Sequence, residues 1–255
     1  MDQSFDSDLL STVLESIFPD RDVTSVSAPG PSWNENNSMM AVAFANGEIM
    51  FVKMANDGDS SRIRRERTVI DYVGTTHEIP LPALLASQIT GDVPYLIMSP
   101  MPGKRLDRYW SSATTAEKAT TLRAVGTTLA ELHADRFEAH GHIVGGTADA
   151  LRLETGPWAE VLVDRIDTVR NLASSRRFEQ YYDRVTTAVE DNRTVLNEAP
   201  AAIVHGDPHR RTVFRWMVES ASSTGSSHMW VIRPGNSTEH RTSRSGRETA
   251  TRPSG

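Results

Sequence analysis

The sequence predicts an α+β fold with two lobes, a small antiparallel-sheet lobe over residues 1–102 and a mainly helical lobe over residues 103–219. Three observations predict it. Apolar residues alternate at the period of strands on both sides of an Asn-Gly turn in the first part of the chain. After Gly103 they recur at helical spacing, and Pro100-Met101-Pro102-Gly103 separates the two patterns. A chain of 255 residues with 38% hydrophobic residues is long enough to bury a core.

The composition excludes several classes of protein. The chain contains no cysteine, which rules out disulfides, thiol catalysis and zinc-thiolate sites. Six arginines and three acidic residues follow Phe214, so the preceding body is more acidic than the overall charge of −6, which argues against a nucleic-acid binder. No apolar run approaches the ~20 residues that span a bilayer, and Met1-Asp2-Gln3 lacks the basic start of a signal peptide, so we expect a cytoplasmic protein without a membrane segment.

The elements of the first lobe follow from the spacing of apolar residues. A helix over 9–18 ends at Pro19, and a strand over 23–26 follows it. Asn46-Gly47 then joins two strands of a hairpin, over 39–44 and 49–54. Two further strands are predicted over 83–87 and 95–99.

Two opposite charges fall on predicted buried faces. Strand alternation places Lys53 on the same face as Ile49 and Phe51. A helix over 61–73 places Glu66 on its apolar stripe, formed by Ile63, Ile70 and Val73. Burying either charge alone is expensive, so the two patterns predict a Lys53–Glu66 ion pair. The alternative is that both side chains extend into water.

The second lobe contains three predicted helices. The first begins at Thr114, where Glu117 completes a capping box, and its apolar stripe is Leu122, Val125, Leu129 and Leu132. The other two run over 158–169 and 178–189. Residues 220–255 are rich in Ser, Thr, Arg and Gly and contain no aspartate, so we expect a disordered or aberrant tail, interrupted only by the apolar residues 229–232.

The most informative segment is 201–214. Its apolar run stops at His205-Gly206-Asp207, and apolar character resumes at Val213-Phe214. A buried strand that leads into a short polar segment before a second strand is typical of a catalytic loop. Asp207 is then expected to lie in a cleft. The alternative is that its side chain caps the loop by hydrogen bonding to the backbone.

Residues 205–214 resemble the catalytic loop of the aminoglycoside phosphotransferase family, relatives of choline kinases with a two-lobed protein-kinase-like fold. That loop reads His-Gly-Asp, four intervening residues and Asn. Lys53, Glu66, the hinge at 99–103 and the helix at 126–133 occur in the family's order, so the resemblance covers about 20–214. It implies an ATP-dependent kinase that transfers the γ-phosphate to a hydroxyl of a small molecule.

The resemblance also implies roles for individual residues. Asp207 is the base, His205 orients the loop through backbone hydrogen bonds, and Lys53, aimed by Glu66, contacts the phosphates. Pro100 and Pro102 have no N–H, so the Ser99 carbonyl and the Met101 amide are the hinge groups available to adenine, unless this Pro-x-Pro is an ordinary linker. The implied cofactors are ATP and Mg²⁺.

Three features depart from the family's pattern. Thr212 stands in place of the asparagine that ligates the metal, and a second metal ligand, an aspartate, has no candidate. If residues 230–236 correspond to that stretch, Arg233 occupies the aspartate's place, and a cation does not ligate a cation. The loop at 28–32 carries two prolines where amide donors normally cover phosphates. We therefore expect an incomplete metal site, a fold incomplete at its C-terminus with a truncated or frame-shifted segment after about Arg215, and weak or absent activity.

Two other functions stay open. A catalytically dead pseudokinase, or a binding remnant, uses the same lobes without a metal aspartate. A metal-dependent hydrolase would combine His140 and His142, placed in a glycine-rich loop, with His205, Asp207 and His209. His209 has two equally good interpretations. It contacts the substrate, or it lies on the surface or behind the residues that contact the substrate. The sequence names neither the acceptor nor the oligomeric state.

Overall fold

The computed structural model of the protein describes residues 7–28, 37–55, 57–172, 176–206, 212–217 and 227–231. Its helices are α1 (Ser7–Ile17), α2 (Ser60–Thr76), α3 (Leu106–Trp110), α4 (Thr115–Leu132), α5 (Trp158–Leu172), α6 (Arg176–Asp191) and α7 (Arg193–Glu198). Its strands are β1 (Val23–Ser27), β2 (Asn37–Phe44), β3 (Ile49–Ala55), β4 (Leu84–Gln88), β5 (Tyr95–Met98), β6 (Lys104–Arg105), β7 (Arg136–Phe137), β8 (Gly141–Gly146), β9 (Leu151–Thr155), β10 (Ala201–Ala202), β11 (Val213–Met217) and β12 (Ser227–Val231). Among these helices, none combines the length and the apolar character that a bilayer crossing needs.

Five antiparallel strands form the first sheet, in the order β1-β2-β3-β5-β4. The predicted hairpin is present, with β2 and β3 joined at Asn46-Gly47. Gly47 has a φ of 83°, a left-handed conformation that favours glycine, and its N–H donates to the Phe44 carbonyl at 2.9 Å. This local turn fixes the register that pairs Met39 with Lys53.

The two faces of the sheet are covered by different helices. One face packs against α1 through a core that includes Val52 and Leu14, while the other packs against α2 through Leu96 and Ile63. Lys53 lies opposite Leu96 in the β3–β5 ladder and is therefore on the α2 side. Ile49, which alternation assigns to the same face, is 47% exposed because it lies beside the exposed turn. The expected apolar surroundings of Lys53 itself are present, since its side chain is buried opposite the buried Leu96.

Helix α2 is fixed at both ends by carboxylates. At its start, Asp59 Oδ1 accepts the N–H of Ser61 at 2.9 Å as an N-cap. Near its end, the Asp135 carboxylate accepts the hydroxyl of Tyr72 at 2.8 Å and hydrogen-bonds His77 Nε2 at 2.9 Å. Burial and the bond to Asp135 raise the pKa of Tyr72. These contacts hold α2 between the sheet and the end of α4.

The stripe predicted on α2 and the capping box predicted on α4 are both confirmed. Ile63, Glu66, Ile70 and Val73 are all buried. The Thr114 hydroxyl accepts the N–H of Glu117, and the Glu117 carboxylate accepts the N–H of Thr114 at 2.8 Å. The α4 stripe is wrong at Leu122, which is exposed.

The part of the chain after Gly103 contains more strand than the sequence predicts. Strands β8 and β9 form an antiparallel hairpin that packs against α2. Three of the six β8 residues are glycines, which weakens the strand signal. Gly141 is required there by a close approach, because a Cβ would lie 2.2 Å from the Glu154 carbonyl oxygen. The lobe boundary near Gly103 stays a prediction.

Strand β12 lies inside the segment expected to be a disordered or aberrant tail. It pairs with β11 from Val213↔Val231 to Met217↔Ser227. The apolar residues 229–231 were excepted from the expected disorder, so the expectation is wrong only for residues 227 and 228. A short run with high strand propensity finds a partner that the local sequence does not reveal. Residues 218–226 and 232–255, Arg233 included, lie outside the described residues, as do residues 29–36 of the proline-containing loop.

The N-cap of α2 yields a stability prediction. Asp59→Ala removes an acceptor for the first turn and should lower the free energy of unfolding by about 1 kcal/mol at pH 7. Desolvation acts to raise the pKa of Asp59, but hydrogen bonds from Ser61 and the charges of Arg62 and Arg65 outweigh it and lower the pKa below 3.8. Because the folded-state pKa is the lower one, this stabilisation is present above about pH 4 and is lost as the pH falls. Urea unfolding across pH measures both effects.

Asp59→Asn is the matched control, because asparagine caps a helix as well as aspartate does. It should retain most of the stability at pH 7 while losing the pH dependence assigned to the carboxylate. Equal stability of Asp59→Ala and the unchanged protein at pH 7 would contradict the role of this cap.

Candidate functional site

A buried ion pair links the sheet to α2. Lys53 Nζ donates to Glu66 Oε2, and the side chains are 3% and 6% exposed. Either charge alone would carry a desolvation penalty of several kcal/mol, which the pairing offsets. The predicted ion pair is therefore present, and the alternative in which both side chains reach water is wrong.

Arg62 lies one turn before Glu66 on α2 and is 5% exposed. Its Nη2 is 2.5 Å from Asp57 Oδ2, and its Nη1 is 3.8 Å from Asp59 Oδ2. Its Nε is also buried but has no hydrogen-bond partner within the described part of the chain. The start of α2 thus carries a nearly buried cation with one donor unused.

The hinge residues lie at the end of β5. The Ser99 N–H donates to the Ala83 carbonyl at 2.9 Å, and the Ala83 N–H donates to Ser99 Oγ at 2.8 Å. Within the described ranges, the Ser99 carbonyl and the Met101 amide form no hydrogen bond. The Met101 side chain packs on the hydrophobic cluster that contains Ile203. Adenine binding by Ser99 and Met101 stays a prediction.

The chain before Asp207 is only partly a strand. Strand β10 is two residues long and pairs with β7, Ile203 is buried, and Val204 is 61% exposed. The expected continuous buried strand is wrong at Val204, because the ladder ends before it. Gly206 has a φ of 80°, so the backbone turns through a conformation that favours glycine directly before Asp207. Asp207 and His209 lie outside the described residues.

A cavity of about 740 Å³ connects α2 with the residues before Asp207. Helix α2 contributes Glu66, and the segment after β10 contributes His205 and Gly206. Lys53 is connected to this cavity through its ion pair with Glu66. Three other predicted site residues, Ser99, Met101 and Thr212, do not line it. Thr212 is buried and directly precedes β11 in the sequence. The structure thus brings together part of the predicted set.

Sequence reasoning missed three arginines of this cavity, Arg62, Arg65 and Arg165. Arg165 shares one face of α5 with Trp158, Val161 and Leu162, which also line the cavity. Arg165 lies within this apolar pattern, between Leu162 and Ile166, and a cation on the apolar face of a helix was the available signal.

The histidines proposed for a metal hydrolase also line the cavity. His140 stacks on Trp158 with ring centroids 5.5 Å apart, and His142 lies in strand β8. The expected glycine-rich loop is therefore wrong at His142, which lies in β8, whereas His140 lies in the connection just before that strand. Across the described ranges, no three His, Asp or Glu side chains are arranged to hold a metal ion. Asp207 and His209 of that hypothesis lie outside these ranges.

The sequence matches the profile of the phosphotransferase enzyme family over residues 31–214. A comparison with curated protein sequences found no match. The family match includes the ion pair, the hinge and the segment 205–214.

Solved structures of kinases have the same fold. The aminoglycoside phosphotransferase APH(2″)-IIIa, solved with GDP and kanamycin, is 13% identical, with a TM-score of 0.55 over 81% of this chain and 67% of that one. A putative fructosamine-3-kinase from Thermobifida fusca is 20% identical, with a TM-score of 0.52 over 88% and 72%. APH(3″)-Id from Streptomyces rimosus, solved with ADP and streptomycin, is 16% identical, with a TM-score of 0.53 over 82% and 71%. The predicted two-lobed protein-kinase-like α+β fold is confirmed.

The buried ion pair yields a second stability prediction. Glu66→Gln leaves the Lys53 ammonium buried without its counter-charge and should lower the free energy of unfolding by about 3–5 kcal/mol. Replacing both residues, as Lys53→Met with Glu66→Leu, should restore stability to within about 1 kcal/mol or raise it. Urea unfolding followed by circular dichroism measures both variants.

Glu190→Gln serves as the control, since Glu190 forms an exposed ion pair with Arg193 at 2.9 Å. Its unfolding midpoint should not change measurably. If Glu66→Gln has the same unfolding midpoint as Glu190→Gln, the Lys53–Glu66 pair is not buried away from water as described.

Proposed function

The chain belongs to the phosphotransferase enzyme family, and from this premise we propose that it transfers the γ-phosphate of ATP to a hydroxyl group of a small molecule. The observation that carries the proposal is the buried Lys53–Glu66 ion pair, because Glu66 lines the cavity that His205 and Gly206 also line. Phosphoryl transfer depends on a fixed cation at the phosphates, a group that orients the hydroxyl, and a cleft that excludes water.

Each of the proposed roles follows from position. Glu66 holds the Lys53 ammonium in one orientation, which suits a point charge on a phosphate oxygen. Asp207 follows Gly206 directly, and in this proposal its carboxylate orients the acceptor hydroxyl and takes its proton. His205 positions the loop rather than reacting.

The hinge supports ATP as the donor. In the proposal, the Ser99 carbonyl accepts from the exocyclic amine of adenine and the Met101 amide donates to a ring nitrogen, since Pro100 and Pro102 lack an N–H. The two hydrogen bonds between Ser99 and Ala83, the residue before β4, hold the hinge in place without using these two groups. A cytoplasmic location is part of the same proposal, because ATP is supplied there.

The described residues do not fit a resident Mg²⁺. Thr212 is a buried residue that offers only a neutral hydroxyl, and no three His, Asp or Glu side chains of the described part converge on one point. Mg²⁺ is therefore proposed only as a companion of the ATP phosphates. No step of the mechanism is assigned to it.

A nucleotide-binding protein without turnover is the second candidate. The position of Thr212 favours it, because the resemblance places a metal-ligating asparagine there and threonine lacks the amide oxygen. The two candidates share the Lys53–Glu66 pair and the hinge. They differ in whether bound ATP is consumed.

Asp207→Asn tests the first candidate. If Asp207 is the base, this change should lower kcat for ADP formation with a panel of hydroxyl compounds by about 10²- to 10⁴-fold, since that is the usual contribution of a general base. Asp183→Asn changes an exposed carboxylate on α6 and should leave kcat unchanged. Turnover of Asp207→Asn at the unmodified rate would contradict the assignment.

Thermal unfolding with ATP separates the two candidates. An increase in Tm with Mg²⁺ and ATP, together with slow turnover, supports the enzyme. An equal increase with and without Mg²⁺, in the absence of turnover, supports the binding protein. No increase under either condition would overturn both, because a ligand that binds only the folded state must raise its stability.

A further inference from the structure

Two contacts hold helix α2 from different elements of the chain. On the sheet side, Glu66 accepts the ammonium of Lys53. At the end of α4, Asp135 accepts the hydroxyl of Tyr72 at 2.8 Å and lies 2.9 Å from His77 Nε2. Glu66 and Tyr72 are six residues apart in α2, or about 9 Å along its axis. The helix that carries Glu66 is therefore also tied to a carboxylate that lies outside it.

The contacts of Asp135 lie in a partly buried site. The Asp135 side chain is 22% exposed, and that of His77 is 7% exposed. Burial and the hydrogen bond to Asp135 raise the pKa of Tyr72, so the phenol stays protonated and donates at neutral pH. His77 Nδ1 also lies 3.8 Å from Glu131 Oε1 on α4. A partly buried carboxylate that lost its donors would carry a desolvation cost, which favours keeping these groups together.

Apolar packing alone does not define the position of α2. Val73 packs in a buried cluster with Ile79, Leu132 and Ile203. Hydrophobic contacts are non-directional, so this cluster holds α2 close to α4 without fixing its rotation or its position along the axis. Hydrogen bonds weaken steeply when their geometry changes. Two of them, from the end of α2 to one carboxylate, fix both.

We propose that Asp135 is a positioning residue, which fixes α2 so that Glu66 holds the Lys53 ammonium in the orientation that a nucleotide phosphate requires. Asp135 does not line the cavity, and among the described residues it forms no hydrogen bond with Lys53 or Glu66, so it acts through α2. The nucleotide step rests on the proposed phosphotransferase function. The step from Asp135 to the ion pair rests on the contacts of α2.

The chain contains three lysines, Lys53, Lys104 and Lys118, which allows a chemical test of the ion pair without nucleotide. The Lys53 side chain is 3% exposed, whereas Lys104 is exposed and serves as an internal reference. Acetic anhydride acetylates an amine only when the reagent can reach it. The acetylation rate of Lys53 relative to that of Lys104, measured by mass spectrometry, therefore reports how often the pair opens. Asp135→Ala should raise this ratio about tenfold, because it removes the acceptor of two hydrogen bonds.

Two conservative variants should give smaller increases. Asp135→Asn keeps an oxygen that can accept the Tyr72 hydroxyl. Tyr72→Phe removes one of the two donors and leaves His77 in place. If Asp135→Ala does not fold, these two variants replace it, and each should give a ratio above that of the unchanged protein.

Asp167→Ala is the matched control, because Asp167 accepts the hydroxyl of Tyr182 between α5 and α6 and does not line the cavity. It removes a tyrosine–aspartate hydrogen bond of the same kind away from α2, and thus accounts for a general loss of stability. Its ratio should equal that of the unchanged protein. An unchanged ratio in Asp135→Ala, or a rise of the same size in Asp167→Ala, would overturn the proposal.

A double-mutant cycle with a non-hydrolysable ATP analogue tests the nucleotide step. Asp135→Ala should weaken analogue binding about tenfold when the ion pair is present, and should have no further effect in Lys53→Met with Glu66→Leu, which has no pair to position. An equal loss in both backgrounds, or no loss in either while the unchanged protein binds the analogue, would overturn the proposal. A raised acetylation ratio without analogue binding by the unchanged protein would support the role of Asp135 at the ion pair and contradict the phosphotransferase function.

Discussion

The burial of two opposite charges between β3 and α2 constrains the rest of this structure. Neither Lys53 nor Glu66 can be buried alone at acceptable cost, so the sheet and the helix must meet in one register. The Asn46-Gly47 turn sets the register of β3, and the N-cap of Asp59 with the carboxylate of Asp135 fixes α2. Local signals at both partners thus determine where a charge pair forms across the core.

Helix α2 serves the sheet and the cavity at the same time. Glu66 contacts Lys53 and also borders the cavity, as do Arg62, one turn earlier, and Arg65, the preceding residue. A shift of α2 would therefore disturb both the ion pair and the lining of the cavity. The solved structures described above are at most 20% identical to this chain, so they establish its fold alone. The ligand must be inferred from the side chains that line this cavity.

The parts of the fold that the sequence predicts are those with strong local signals. An Asn-Gly turn, a capping box and apolar stripes predict the β2–β3 hairpin and helices α2 and α4, and the two charged positions within them predict the ion pair. The β8–β9 hairpin and the pairing of β12 with β11 depend on glycine-rich or distant segments, so their patterns are weak. Arg165 was missed because its neighbours across the cavity come from other elements. The placement of Asp207 stays a prediction.

Nucleotide affinity of a variant that lacks the ion pair but keeps a stable fold tests the central claim most directly. The measurement is calorimetric titration of a non-hydrolysable ATP analogue with Mg²⁺ into the unchanged protein and into Lys53→Met with Glu66→Leu. If the pair positions a phosphate contact, the double variant should unfold normally and bind the analogue about tenfold more weakly or worse. Equal affinity of the two proteins would show that the buried pair only stabilises the fold, and would contradict this account.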